Sequence, residues 1–206
     1  MERKQKEAKG KQTMKEMKVR ITFFEEILGT ASNNKEIHSE FIAMKAPDAP
    51  TREEEIEAVG VEEVIEKGTT VFARTENGEP MLWDYQIKGF FKNAAKAFYQ
   101  IDKKSLPAYK SKIDNLVFVK ERRIPFQMSG PITTCQRPLR GQTAQGERIA
   151  LAASEAVPAG SVIEITIMVL VDDLMKNVIQ WLDYGALNGI GQWHNSGKGR
   201  FTWEQI

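Results

Sequence analysis

Ser161-Val162-Ile163-Glu164-Ile165-Thr166-Ile167-Met168-Val169-Leu170-Val171 is rich in β-branched residues and runs directly into Asp172-Asp173-Leu174. Valine, isoleucine and threonine suit the pleated surface of a sheet, so this stretch predicts a strand. The two aspartates then open a helix through Leu174, Val178, Ile179, Trp181 and Leu182, at the end where the helix dipole favours negative charge. Gly185 is the expected left-handed stop. Further on, Arg200-Phe201-Thr202-Trp203-Glu204-Gln205-Ile206 alternates large apolar residues with polar ones and predicts a closing strand. Strand, helix and strand thus make one β-α-β unit at the C-terminal end.

A second such unit lies upstream. Lys18-Val19-Arg20-Ile21-Thr22-Phe23 alternates with period two and predicts a strand with one buried face. Apolar residues at 87, 90, 91, 94, 95 and 98 keep a helical period, while Lys88, Lys92 and Lys96 form an i, i+4 ridge on another side. That ridge reads either as a binding face or as a solubility row. Leu116-Val117-Phe118-Val119 predicts a compact strand. The order β-α-β-β-α-β is the split arrangement of a ferredoxin-like fold, so the expected class is α+β with a large insertion after the first strand.

The segments between these elements are less regular. Residues 1–17 are expected to form a basic flexible tail, and residues 18–206 a single domain with its insertion at about 29–83. Within the insertion, residues 33–41 suggest a short helix, Ala46-Pro47-Asp48-Ala49-Pro50 a break, and Thr51 with Glu53, Glu54 and Glu55 the start of an acidic helix. Glu76-Asn77-Gly78-Glu79 predicts a hairpin turn between two short strands. Residues 125–145, which include Arg137 and Arg140, read as a long polar loop, and residues 147–152 as a further strand.

The chain between the last helix and the last strand is glycine-rich: Gly185-Ala186-Leu187-Asn188-Gly189-Ile190-Gly191-Gln192-Trp193-His194-Asn195-Ser196-Gly197-Lys198-Gly199-Arg200. Such density marks a backbone that turns tightly or admits a close neighbour. Lys198, Arg200 and His194 point to an anionic visitor, and the alternative is a plain connecting loop.

Bulk composition narrows the function classes. A formal charge of +1 gives no whole-molecule attraction to nucleic acid, so a basic site must be local. The single cysteine, Cys135, allows no intramolecular disulfide and suits a reducing cytoplasm. The two histidines, His38 and His194, lie far apart, so neither a metal nor another cofactor is expected. No apolar run is long enough for a membrane helix, and the charged start is unlike a signal peptide.

Three stretches together resemble the RAMP superfamily, the repeat-associated RNA-binding subunits of CRISPR effector complexes, and most of all their backbone-forming members. They are Leu28-Gly29-Thr30, the helix start Gln86-Ile87-Lys88-Gly89-Phe90-Phe91-Lys92, and the terminal Gly189-Ile190-Gly191 with Ser196-Gly197-Lys198-Gly199-Arg200-Phe201. Glu155-Ala156-Val157-Pro158-Ala159-Gly160-Ser161 is similar to that family's turn into its third core strand. The resemblance implies a modified ferredoxin-like, RRM-like domain that holds RNA along its backbone. By it, Lys88 and Lys92 correspond to helix-start contacts, and Gly189, Gly191, Gly197, Lys198, Gly199 and Arg200 to the glycine-rich loop. Trp193 or His194 would then stack on a base or pack against the domain.

The chain also departs from that family. Asp84-Tyr85-Gln86 stands where small hydroxyl residues are usual, Asp48 is the one aspartate in the insertion and does not fall in register with the cleaving members' acid, and neither histidine matches the processing members' catalytic position. No nuclease activity is expected. The expected function is nonenzymatic binding of RNA or another single-stranded nucleic acid, with Lys88, Lys92, Lys96, Arg137, Arg140, Lys198 and Arg200 as its basic contacts and self-assembly along the ligand. A second expectation is an interaction protein, encoded by a phage or other mobile element, that docks onto or imitates a subunit of a CRISPR-type ribonucleoprotein. A third is an RNA-processing enzyme with His194 as general base.

Overall fold

A computed structural model describes residues 14–32, 69–103, 106–143 and 146–206. The architecture is mixed α+β. Its centre is a four-stranded antiparallel sheet ordered β12-β1-β11-β7, built from β1 (Lys15–Phe23), β7 (Val117–Val119), β11 (Val162–Val169) and β12 (Phe201–Gln205). Strand β1 starts at Lys15, three residues before the alternation at Lys18 becomes obvious. The period-two pattern sends Val19, Ile21 and Phe23 inward beside Ile163, Ile165 and Ile167.

Two helices close over that inner face. Helix α1 (Asp84–Ile101) buries Ile87, Phe90, Phe91, Ala94 and Ala95, and helix α3 (Asp172–Tyr184) buries Leu174, Val178, Trp181 and Leu182. They meet at Phe91 and Trp181, whose ring centroids are 5.7 Å apart, and Phe90 reaches Phe201 of β12 at 5.2 Å. Each fully buried large apolar side chain contributes roughly 1.5–3 kcal/mol. A short helix α2 (Tyr109–Leu116) leads into β7 and lies against α1.

The fold differs from the sequence expectation at two further places. Residues 126–132 are irregular as expected, but the rest of the expected loop is largely strand: β9 (Thr133–Thr143) pairs antiparallel with β10 (Gly146–Val157) in a long hairpin. Arg137 lies opposite Ala152, and Arg140 opposite Ile149. A two-stranded ribbon with no continuous apolar face lacks the alternation that marks a half-buried strand. Gly185, moreover, has φ −58° and is no left-handed stop. It is glycine because a Cβ there would sit 2.2 Å from the Phe201 ring.

Two smaller sheets position the functional elements. The base of β10 pairs with β2 (Ile27–Leu28) and with β4 (Thr70–Val71), which also pairs with β3 (Ala31–Ser32). The hairpin expected around Asn77-Gly78 joins β5 (Ala73–Arg74) to β6 (Pro80–Trp83), and β6 pairs with β8 (Arg123–Pro125). Because β6 runs directly into α1, this third sheet fixes where the helix begins. His38, Asp48 and the helices expected over 33–41 and from Thr51 lie outside the described residues, as do most of the expected tail and insertion.

Candidate nucleic-acid interface

A groove of about 330 Å3 runs between the first turns of α1 and the glycine-rich loop. One wall is a helical stripe at i, i+3, i+4 and i+7: Gln86, Gly89, Phe90 and Asn93, with Tyr85 at its rim. Gly189, Ile190, Gly191 and His194 form the other wall, and Thr30 joins the two. The Gln86 carboxamide sets the corner: its oxygen accepts the Trp83 amide at 2.7 Å, and its nitrogen donates to Thr30 Oγ1 at 2.8 Å. Among the described residues, no lysine, arginine, aspartate or glutamate lines the groove. What it offers a ligand is backbone, carboxamides, a hydroxyl, an imidazole and aromatic rings.

The loop holds this shape because its two arms lie backbone against backbone. Ile190 N donates to Gly199 O at 3.0 Å, and Gly199 N donates to Glu26 O at 2.8 Å. A Cβ on Gly189 would stand 2.2 Å from Lys198 O, and one on Gly199, whose φ is +66°, 1.9 Å from Ile190 O. No side chain fits either position. Gly191 and Gly197 also have positive φ, and Gly197 closes the single 3-10 turn His194–Ser196. His194 lines the groove while its Nδ1 meets Gly191 O at 3.1 Å, a contact that fixes the loop from within.

Side chains tie the loop to the second sheet. The Arg137 guanidinium lies 3.6 Å from the Trp193 ring centroid and donates to Ser196 Oγ at 3.0 Å. The Gln192 oxygen accepts from Thr70 Oγ1 at 3.3 Å and from Ser154 Oγ at 3.4 Å. Trp193 therefore packs against its own domain and is already stacked by a cation.

The expected basic contacts are engaged elsewhere. Lys198 pairs with Glu26, and that hydrogen bond raises the lysine pKa above its ordinary value. Arg200 pairs with Glu25 at 3.0 Å, donates from Nε to Gly197 O at 3.1 Å, and lies 5.3 Å from the Phe24 ring. Lys88 and Lys92 turn towards α2. Lys88 donates to Asp114 O at 3.0 Å over the Phe118 ring, with its pKa lowered by burial, and Lys92 pairs with the Asp114 carboxylate at 2.6 Å. Lys96 is exposed on that ridge, and of Arg140 only its strand position is described. The structure thus gathers Gly189, Gly191 and His194 at the groove, sets Arg137, Trp193, Gly197, Gly199, Lys198 and Arg200 behind it as loop scaffold, and leaves the lysine ridge on another side of α1.

This fold has a solved counterpart. A chain of the cryo-EM structure of the type III-B Cmr-beta bound to cognate target RNA is similar with a TM-score of 0.54 at 10% identity. The likeness covers 94% of this chain and 59% of that one, so the protein spans little more than half the length of its counterpart. At that identity the likeness is one of fold. No protein-family model and no curated protein matches the sequence.

The helix stripe was legible as spacing but not as function. Gln86, Gly89 and Asn93 interrupt the apolar periodicity of α1, and that polar row between Phe90 and the lysines was the available signal. Thr30 stood out only within the Leu28-Gly29-Thr30 resemblance, and its hydrogen bond with Gln86, 56 residues away, was not visible in the sequence. Among the described residues no cluster of histidine, cysteine or acidic side chains is arranged for a metal, and no helix is long and apolar enough to cross a membrane.

Proposed function

We propose that the protein is a nonenzymatic binder of single-stranded RNA of the RAMP kind, a CRISPR-related role, and that the strand lies in the groove between α1 and the glycine-rich loop. The observation that carries this reading is the groove itself, built where a close-packed glycine loop faces a polar helix stripe. The β12-β1-β11-β7 order supports the ferredoxin-like assignment, with α1 and α3 on one face. The solved counterpart is a chain of a Cmr-beta structure determined bound to cognate target RNA.

The chemistry of the grip differs from a basic cradle. With no charged side chain among the described residues lining the groove, the strand is held there by backbone and carboxamide groups and by aromatic contact. Affinity is then expected to fall only shallowly with salt, because few counterions are released. A fluorescence anisotropy titration of a labelled single-stranded RNA at two salt concentrations tests the proposal. Saturable binding with a shallow salt slope is the expected result, and absence of binding at low salt overturns it.

A second reading rests on a different surface. Ala97, Phe98 and Ile101 of α1 and Tyr184 and Leu187 beside α3 bound an apolar groove, with Ile101 83% and Leu187 75% exposed. Exposed apolar side chains gathered in one place mark interaction surfaces. They favour a docking role, on a further copy of this chain or on a subunit of a CRISPR-type ribonucleoprotein. A pull-down whose protein partners survive nuclease treatment supports docking, and recovery that vanishes with nuclease supports RNA capture.

A further inference from the structure

Tyr85 is the residue that the fold does not need. It occupies the first turn of α1, is 56% exposed, and its hydroxyl has no hydrogen-bond partner among the described residues. An exposed tyrosine contributes little to a core. Yet it is held in one orientation: its ring lies nearly parallel to that of Trp83, at 14° and a centroid separation of 6.4 Å. The Arg122 guanidinium stands over both rings, 5.3 Å from Trp83 and 5.9 Å from Tyr85. Arg122 is in turn fixed by Asp84. Two rings and a guanidinium thus form a ledge that meets the groove at Tyr85, a lining residue together with Gln86 and Asn93.

We propose that this ledge is a stacking position for one unpaired nucleobase of the bound strand, with Tyr85 as the platform. The inference rests on the RNA-binding reading and assigns one contact within it. An aromatic ring presented to solvent at a groove mouth matches the π-face that every base carries, and a neighbouring guanidinium strengthens such stacks. Because the π-face is common to all bases, the platform tolerates sequence. Gln86 and Asn93 lie where they can meet a base edge with one donor and one acceptor each.

Tyr85→Ala, Tyr85→Leu and Tyr85→Phe are compared with the parent protein by anisotropy, using uridine homopolymer RNA and a matched abasic strand as probes. Circular dichroism melts confirm that each variant is folded, which is expected because the side chain lies outside the core. The parent should prefer the base-bearing strand. Tyr85→Ala and Tyr85→Leu should bind it roughly five- to a hundredfold more weakly, the range for losing one base–aromatic stack, with the abasic strand little affected, and Tyr85→Phe should bind like the parent. If the parent binds RNA and Tyr85→Ala binds equally well, the ledge is overturned and the RNA-binding reading stands. If all proteins bind the base-bearing and abasic strands alike, the ledge is likewise overturned. If the parent binds neither strand, both proposals fall together.

Discussion

The groove and the outer face of the central sheet use polar residues in opposite ways. On the sheet, Arg20 bridges Glu164 at 2.9 Å and Glu204 at 3.0 Å, and Lys18 joins Glu164 at 3.0 Å, a charged network across three strands. In the groove none of the described lining residues is charged, and the nearby cations Lys198 and Arg200 pair instead with Glu26 and Glu25. Charge in the described residues therefore works mainly as staples between elements. The groove beside the glycine loop has room for a ligand and no charge among its described lining residues, and its shape comes from backbone contacts that glycine permits.

The largest expected effect tests whether glycine builds that shape. Gly199→Ala places a Cβ against Ile190 O in a left-handed backbone, and should cost on the order of 3 kcal/mol or more in thermal unfolding while abolishing RNA binding. Gly89→Ala is its counterpart on the other wall. Gly89 is helical with nothing within 4 Å of an added Cβ, so alanine should stabilise the protein by about 1 kcal/mol through helix propensity and still weaken binding by narrowing the groove. If Gly89→Ala raises stability and leaves affinity unchanged, the strand does not lie in this groove.

Much of this fold is legible in the sequence, for reasons that differ by element. Strands β1 and β11 and helix α1 each have one face on the core, so Val19, Ile21 and Phe23, or Ile87, Phe90 and Phe91, write the period into the chain. Hairpin β9–β10 is built differently. Arg137-Pro138-Leu139-Arg140-Gly141 belongs to a ribbon paired over eleven positions, and its pairing partner rather than a core selects the strand. At the site, glycine density was visible, but its cause was not, since Gly189 and Gly199 constrain one another only once the arms meet. The pairing of the basic residues was hidden for the same reason. Lys198 and Glu26 are 172 positions apart, and only tertiary structure shows that the cation is already paired.

Lys198 offers the next sharpening. Its side chain and that of Glu26 are 27% and 29% exposed, so Lys198→Met should lower stability in urea by about 1–2 kcal/mol, the loss of one charge-assisted hydrogen bond. Its RNA affinity should follow the loop's stability and keep the parent's salt slope. A variant that stays fully stable but loses affinity, with the salt slope smaller by about one, would show that Lys198 grips a phosphate and would break the comparison. Smaller still is Lys92→Ala, which removes a surface pair with Asp114 and should cost about 0.5 kcal/mol or less, with no change in RNA binding.

The smallest effect concerns the sheet. Hydrogen bonds from Lys18 and then Arg20 hold the Glu164 carboxyl below its ordinary pKa, against the opposing pull of desolvation. A group whose folded pKa lies below its unfolded one stabilises fully above the unfolded value, about 4.3 for glutamate, and loses that contribution as pH falls through the folded value. The protein should therefore become easier to unfold in urea as pH drops from about 6 to about 3, and Glu164→Gln should flatten part of that slope. At about pH 7 the same variant should bind RNA like the parent, because Glu164 does not line the groove. Loss of RNA affinity in Glu164→Gln would instead place the strand on the charged face of the sheet, and the groove and the sheet would exchange roles.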